Sequence, residues 1–185
     1  MNEGPSRPRI LPVAAVGDET TLNIFRTLAH NAALSKGFRR LGAHLLTGGV
    51  LPAREREIVI LRVGWRCGSE YEFGQHHVIG TSVGLTDEEI ARLADCGSGD
   101  WDDGDRALVA LADELCEDDL VAEGTWRTLS QRWSEAELLE LLVLAGFYRL
   151  VSGMLNSVGV ALEPPTPRWP PSSSPRRRAP TEEQS

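Results

Sequence analysis

Two glutamates and a histidine carry the chemistry that this sequence can offer. In the stretch LPAREREIVILRVGWRCGSEYEFGQHHVIGTSVGLTDEEIARL, which runs from Leu51 to Leu93, the first helical pattern turns by about 100° per residue. Glu57, Ile60, Leu61 and Gly64 then share one stripe, and Glu55, Val59, Arg62 and Arg66 share the opposite one. Glu55 is placed to pair with arginines, whereas Glu57 points where the apolar residues point. A carboxylate on a buried stripe is costly unless it is paired, protonated or used. The next pattern repeats the anomaly, with Ser69, Glu72, Phe73, His76, Gly80 and Val83 on one stripe. Glu72 and His76 are four positions apart, within side-chain reach on a helix. A carboxylate raises the pKa of a neighbouring imidazole and burial lowers it, so the pair can donate and accept protons near neutral pH. Packed as a hairpin on these faces, the two helices bring Glu57, Glu72 and His76 into one pocket that titrates as a unit. On burial alone Glu57 is expected to keep its proton to higher pH, with Glu72 ionised and orienting His76.

Other chemistries are poorly supplied. Cys67 follows Arg66 and precedes a helix start, and both features favour a thiolate. Its fellow cysteines, Cys96 and Cys116, are distant in sequence, and no CxxC pair exists, so neither a disulfide framework nor a nearby resolving thiol is expected. His76, His77, Glu70 and Glu72 hold metal-ligand atoms, but there is no HExxH and adjacent histidines diverge on a helix; neither a metal nor another cofactor is expected. Lys36 is the one lysine and sits in the polar stretch Ser35-Lys36-Gly37, which offers no desolvated amine for Schiff-base chemistry.

The elements that must position these residues read as helices. Apolar residues recur at spacings of three and four over Thr20–His30 and Ala33–Leu46, the latter closed by Gly48-Gly49. Pro52 opens a helix to about Trp65, and another runs from about Ser69 to Val83. Thr86 with Glu89, and Ser134 with Glu137, match the capping-box pattern and open helices to Ala94 and to about Val158. Asp102–Glu117 and Thr125–Arg132 complete an all-α chain. The last helix is apolar nearly all round, which asks for cover on every side and predicts a homo-oligomer (dimer or trimer) with this helix in an interface. Residues 1–18 read as a flexible arm, 19–162 as one helical domain, and the Pro-, Ser- and Arg-rich 163–185 as a disordered tail.

With 27 acidic against 19 basic residues the net charge is −8, the wrong sign for a nucleic-acid binder. Glu140 and Arg149 interrupt the most apolar stretch, and the N-terminus lacks a signal-peptide core, so a cytoplasmic protein without membrane partners is expected. The expected partner is a small-molecule substrate.

LPAREREIVILRV followed by YEFGQHHVIGTSVGLTDEEI resembles the carboxymuconolactone decarboxylase family, which shows a basic-acidic start, then YEWxxH, then a glycine-closed helix. Here Tyr71-Glu72-Phe73 and His76 fill the YEWxxH positions, with phenylalanine in place of tryptophan. The resemblance implies an alkyl hydroperoxidase D-like helical bundle in which a helical hairpin carries the site, and it adds a hexamer to the homo-oligomers expected. In the alkyl hydroperoxidase D branch the pattern is CxxCxxxH with a glutamate twelve positions upstream. Aligned on His76, Ser69 and Glu72 take the two thiol positions, Glu57 the relay glutamate, and Tyr71 the place before the second thiol. A dithiol peroxidase cycle at those positions is chemically unavailable.

Three readings follow. The first is a decarboxylase-like enzyme using acid–base proton transfer on a small organic acid or lactone. His76 or Glu57 would supply the proton, Glu72 would orient His76, Ser69 and Tyr71 would join the site, and Arg62 would hold a carboxylate. The second is a non-catalytic oligomeric scaffold or ligand-binding protein of the same fold. The third is a hydroperoxidase using a single thiol at Cys67.

Overall fold

A computed structural model describes residues 5–14, 21–95 and 101–170. The described chain is all-α, with no strand among those residues. Helices α1 (Asn23–Leu28) and α2 (Ala32–Ala43) are followed by a π-helical turn, His44–Gly48, where the Thr47 hydroxyl donates to the Ala43 carbonyl at 2.9 Å. Then come α3 (Ala53–Arg66), α4 (Glu70–Ser82), α5 (Asp87–Leu93), α6 (Asp103–Asp118), α7 (Glu123–Arg132) and α8 (Glu135–Val158). Both capping boxes form as the spacing requires, at Thr86 with Glu89 and at Ser134 with Glu137. Asp102 caps α6 by accepting from the Asp105 backbone. The first helix is shorter than its apolar pattern; it begins without a side-chain cap at Leu22 and closes at Ala29.

The centre of the bundle is α3, buried at every position from Arg56 to Trp65 and packed against α4, α6 and α8. Full enclosure thus falls to α3 rather than to α8. The long helix buries Leu138, Leu141, Leu144, Tyr148, Val151 and Leu155 and leaves Leu139, Val143 and Leu150 exposed. A second, smaller core of Ile24, Leu28, Tyr71, Val151 and Leu155 joins α1 to α4 and α8.

The α3–α4 hairpin positions the site, and two features shape it. Gly68 turns the chain with φ 62°, a conformation that disfavours side chains bearing a Cβ. Glycines then let the helices cross closely: a Cβ at Gly64 would stand 3.4 Å from the Phe73 backbone nitrogen, and one at Gly80 3.3 Å from Leu61. From outside, Arg54 bonds Glu89 of α5 and Asp105 of α6, which holds the start of α3 in place.

The expected domain limits shift at both ends. Within the expected arm, the Arg9 backbone donates to Val158 at 2.7 Å and the Val13 backbone to Arg26 at 3.2 Å. The domain does not stop at residue 162. Glu163 is tied to α1 and α4, Arg168 pairs with Glu70 at 3.0 Å, and the Trp169 ring lies 5.2 Å from Trp65 and 4.9 Å from Phe73. Proline-rich composition signalled lack of structure here, but one tryptophan and one half-buried acceptor give residues 163–170 enough contact to dock. The arginine run and the rest of the tail lie outside the described residues, as do residues 1–4 and 15–20.

Candidate active site

Glu57, on the second turn of α3, is wholly buried. Its Oε2 lies 2.6 Å from His76 Nδ1 on α4, and its Oε1 accepts from Arg56 Nε at 3.1 Å. One turn before His76, Glu72 places Oε1 3.2 Å from the other ring nitrogen, Nε2. The imidazole therefore bridges two carboxylates. Both contacts favour the ring with a proton on each nitrogen, donating in both directions. Burial pushes the His76 pKa down, but Glu57 and then Glu72 outweigh it and hold the ring up at about 9. Arg56⁺, Glu57⁻, His76⁺ and Glu72⁻ form a charge-balanced chain, which is how a buried acid on an apolar stripe is tolerated.

The chain ends on a cavity of about 400 Å³. Its walls are mostly apolar, with Ile24 and Phe25 from α1, Phe38 from α2, and Phe147, Tyr148 and Val151 from α8. Tyr71, Glu72, Gln75 and His76 supply the polar groups from α4, and the exposed Arg39 stands at the edge with its guanidinium 4.2 Å over the Phe25 ring. Glu57 is not part of the lining; it sits behind His76 and orients it. The roles read from the helical wheels thus exchange, with Glu57 the holder and Glu72 the acid on the cavity. Tyr148 packs edge-on against His76, ring centroids 4.9 Å apart, and burial, then Glu72 and Glu57, push its phenol pKa up. The Tyr71 hydroxyl accepts from the Ile24 backbone at 3.3 Å and donates to Glu163 at 2.9 Å. Glu163 also accepts from Gln75 Nε2 at 2.7 Å.

Other expected site residues go elsewhere. Arg62 does not reach the cavity: it is buried against α6, bonded to Asp113 at 2.6 and 2.8 Å and to the Leu93 carbonyl at 2.9 Å. The wheel already set Arg62 opposite Glu57, and Asp113 supplies the carboxylate it binds. Ser69 is buried and caps α4, accepting from the Glu72 backbone at 3.4 Å, away from the cavity lining. Cys67 is also off the lining, half-buried at the end of α3 with its carbonyl accepting from Asn156 Nδ2 at 2.8 Å. His77 turns toward Asp87, with Nε2 3.7 Å away, and among the described residues no group of His, Cys, Asp and Glu converges as metal ligands. Sequence reading missed Arg56, Tyr148, Gln75, Arg39 and Glu163. Arg56 could have been found as the cation beside Glu57; the others come together only through packing of α1, α2, α8 and the tail.

Comparison with known proteins places this geometry. Residues 32–114, from α2 into α6, match the Carboxymuconolactone decarboxylase family. No curated protein matches the chain. Among solved structures, an uncharacterized peroxidase-related protein from Silicibacter sp. TM1040 is similar with a TM-score of 0.73 at 13% identity, covering 87% of this chain and 96% of that one. A second, described as an alkylhydroperoxidase AhpD core from Ralstonia eutropha JMP134, has a TM-score of 0.69 at 20% identity, covering 76% of each chain. The debrominase Bmp8, solved with 2,3,4-tribromopyrrole, has a TM-score of 0.69 at 14% identity and covers 77% of this chain and 78% of its own. The fold is therefore the AhpD-like helical one.

Proposed function

We propose that this chain, whose residues 32–114 belong to the carboxymuconolactone decarboxylase family, is an enzyme that moves protons on a small organic acid or lactone. The observation that carries this reading is His76, held between Glu57 and Glu72 with one face on an apolar cavity. With its pKa held at about 9, the ring is an imidazolium at neutral pH and acts as a general acid. When an unsaturated lactone acid loses CO₂, the electron pair of the broken C–C bond remains on the substrate. The Nε2 proton of His76 passes to that carbon, and solvent later returns a proton to the ring. Glu57 keeps the ring aimed through Nδ1, and Arg56 holds the other oxygen of Glu57 in place. Glu72, on the cavity, can also take a proton from substrate carbon, so isomerisation uses the same two groups.

The apolar walls suit a substrate whose body is a ring or short hydrocarbon, with its carboxylate directed to Arg39 at the edge. The debrominase of the same fold, solved with a small heteroaromatic ring, agrees with an occupant of that size. Cys67 contributes nothing to this cavity, so a single-thiol hydroperoxidase centred there receives no support from it.

The test is turnover of a panel of apolar unsaturated lactone acids in deuterium oxide, followed by CO₂ release and deuterium incorporation. We expect His76→Gln and Glu72→Gln each to lower kcat by roughly 10²- to 10⁴-fold. Unimpaired turnover by both variants would sink the assignment, and binding of such acids without any exchange or release would leave a ligand-binding protein instead.

A further inference from the structure

Helix α1 forms one wall of the cavity, placing Ile24 and Phe25 on it, yet little in its own sequence holds it there. It is 6 residues long and begins at Leu22 with no side-chain cap. It buries Thr27, whose hydroxyl has no hydrogen-bond partner among the described residues, a cost that the apolar packing of Ile24 and Leu28 must offset. What closes the start of α1 comes from the other end of the chain. Glu163 Oε1 accepts from the Asn23 backbone at 2.5 Å and from the Tyr71 hydroxyl at 2.9 Å, and Oε2 accepts from Gln75 Nε2 at 2.7 Å. The Tyr71 hydroxyl in turn accepts from the Ile24 backbone at 3.3 Å. The Glu163 carboxylate therefore joins the first turn of α1 to two cavity-lining residues of α4 and stands in for the missing cap.

We infer that Glu163 is a positioning residue of the cavity: seated, it latches α1 onto α4 and closes the cavity at that end; unseated, it lets α1 lift and ligand pass. Glu163 does not line the cavity and acts through Tyr71, Gln75 and α1. With its proton donated to Glu163, Tyr71 serves as wall rather than as acid. The latch rests on the proposed function only in taking this cavity as the ligand site.

The segment that carries Glu163 has a seat of its own. Arg168 pairs with Glu70 at 3.0 Å, and the Trp169 ring packs on Trp65 and Phe73. Gly74 of α4 leaves room for the chain to lie this close, because a Cβ there would run into the Pro167 carbonyl. The Ala161 carbonyl, just before the segment, also accepts from Asn23 Nδ2 at 2.9 Å. The far end of α1 is held differently: Arg26 Nε donates to the Val13 carbonyl at 3.1 Å, and the Val13 backbone donates to the Arg26 carbonyl at 3.2 Å. Unseating Glu163 therefore frees the start of α1, where Ile24 and Phe25 stand, and leaves its end anchored.

The test compares the full wild-type chain with three variants. Glu163→Ala removes the acceptor, Glu163→Gln keeps an acceptor without the charge, and Gly74→Ala unseats the segment without altering Glu163 or a cavity-lining residue. Amide hydrogen exchange over residues 21–31, read by mass spectrometry, follows α1 with no ligand present. Fluorine NMR line shapes follow the exchange of 4-fluorobenzoate, a ring carboxylate, with the cavity. In Glu163→Ala and Gly74→Ala, α1 is expected to exchange roughly ten-fold faster or more, as loss of a charge-assisted hydrogen bond implies. Exchange in α3 stays unchanged, 4-fluorobenzoate leaves faster by a similar factor, and Glu163→Gln lies between. Unchanged α1 exchange in both Glu163→Ala and Gly74→Ala would overturn the latch, as would faster α1 exchange with unchanged release of bound 4-fluorobenzoate. A wild-type protein that binds no 4-fluorobenzoate counts against the ring-acid reading of the cavity instead, and hydrogen exchange then decides the latch alone.

Discussion

Replacing Glu57 by glutamine keeps the size of the side chain and removes its charge from between Arg56 and His76. In the wild-type protein the His76 pKa rises from 6.5 to about 9, and at 1.36 kcal/mol per decade this corresponds to about 3 kcal/mol of folding stability. Because the folded value is the higher one, that stability is fully present below pH 6.5 and is lost as the pH rises through about 9. With an effective dielectric constant near 20, two charges centred roughly 4 Å apart attract by about 4 kcal/mol, or nearly three decades in proton affinity. Glu57 can therefore account for the whole rise, leaving Glu72 alone to oppose burial. In Glu57→Gln the ring is expected to titrate at or below its ordinary value. Stability near pH 6 should fall by roughly 3–5 kcal/mol, since Arg56 and the protonated ring lose their shared counter-charge. The fall in stability between pH 6.5 and 9 should flatten. Imidazole NMR titration gives the first quantity, and urea unfolding at a series of pH values gives the others. A variant in which His76 still titrates near 9, or a wild-type protein in which it titrates near 6.5, would refute the coupling argued here.

Three further outcomes are expected. Trp169→Ala should lower stability by about 2 kcal/mol in urea unfolding through lost contact with Trp65 and Phe73; no change would show that residues 163–170 do not dock in solution. Arg62→Met should destabilise by roughly 3–5 kcal/mol while leaving substrate KM unchanged, because its partner is Asp113 and not a ligand; a raised KM at unchanged stability would return Arg62 to the site. A homo-oligomer is expected at micromolar concentration by light scattering, and Val143→Glu with Leu150→Glu should dissociate it if the exposed stripe of α8 is the interface; a monomeric wild-type protein would remove that expectation.

What could be read from residues alone was direction, and what could not was partnership. Helical spacing placed Glu57 and His76 on facing stripes because a rigid period of 3.6 residues fixes where a side chain points, and the glycines at 64 and 80 let those stripes meet. The same period could not say which of two carboxylates would face the cavity. That depends on α8, whose Tyr148 closes over His76 and lines the cavity, while α3 is enclosed by α4, α6 and α8 and carries Glu57 into the interior. The arginines show the limit most sharply. Arg56 and Arg62 are both charged, both on α3 and both buried, yet one bonds Glu57 behind His76 and the other ties α3 to α6. Their assignment turns on Asp113, 51 positions from Arg62, and no local pattern contains that contact. Arg66 and Glu117 follow the same logic: 51 positions apart in sequence, they pair at 2.8 Å where α3 packs on α6. A side chain's chemistry here is thus set by the element packed against it. For this reason the charge of Glu57, which acts at once on a neighbour in sequence and on another helix, is the perturbation that most directly probes the site.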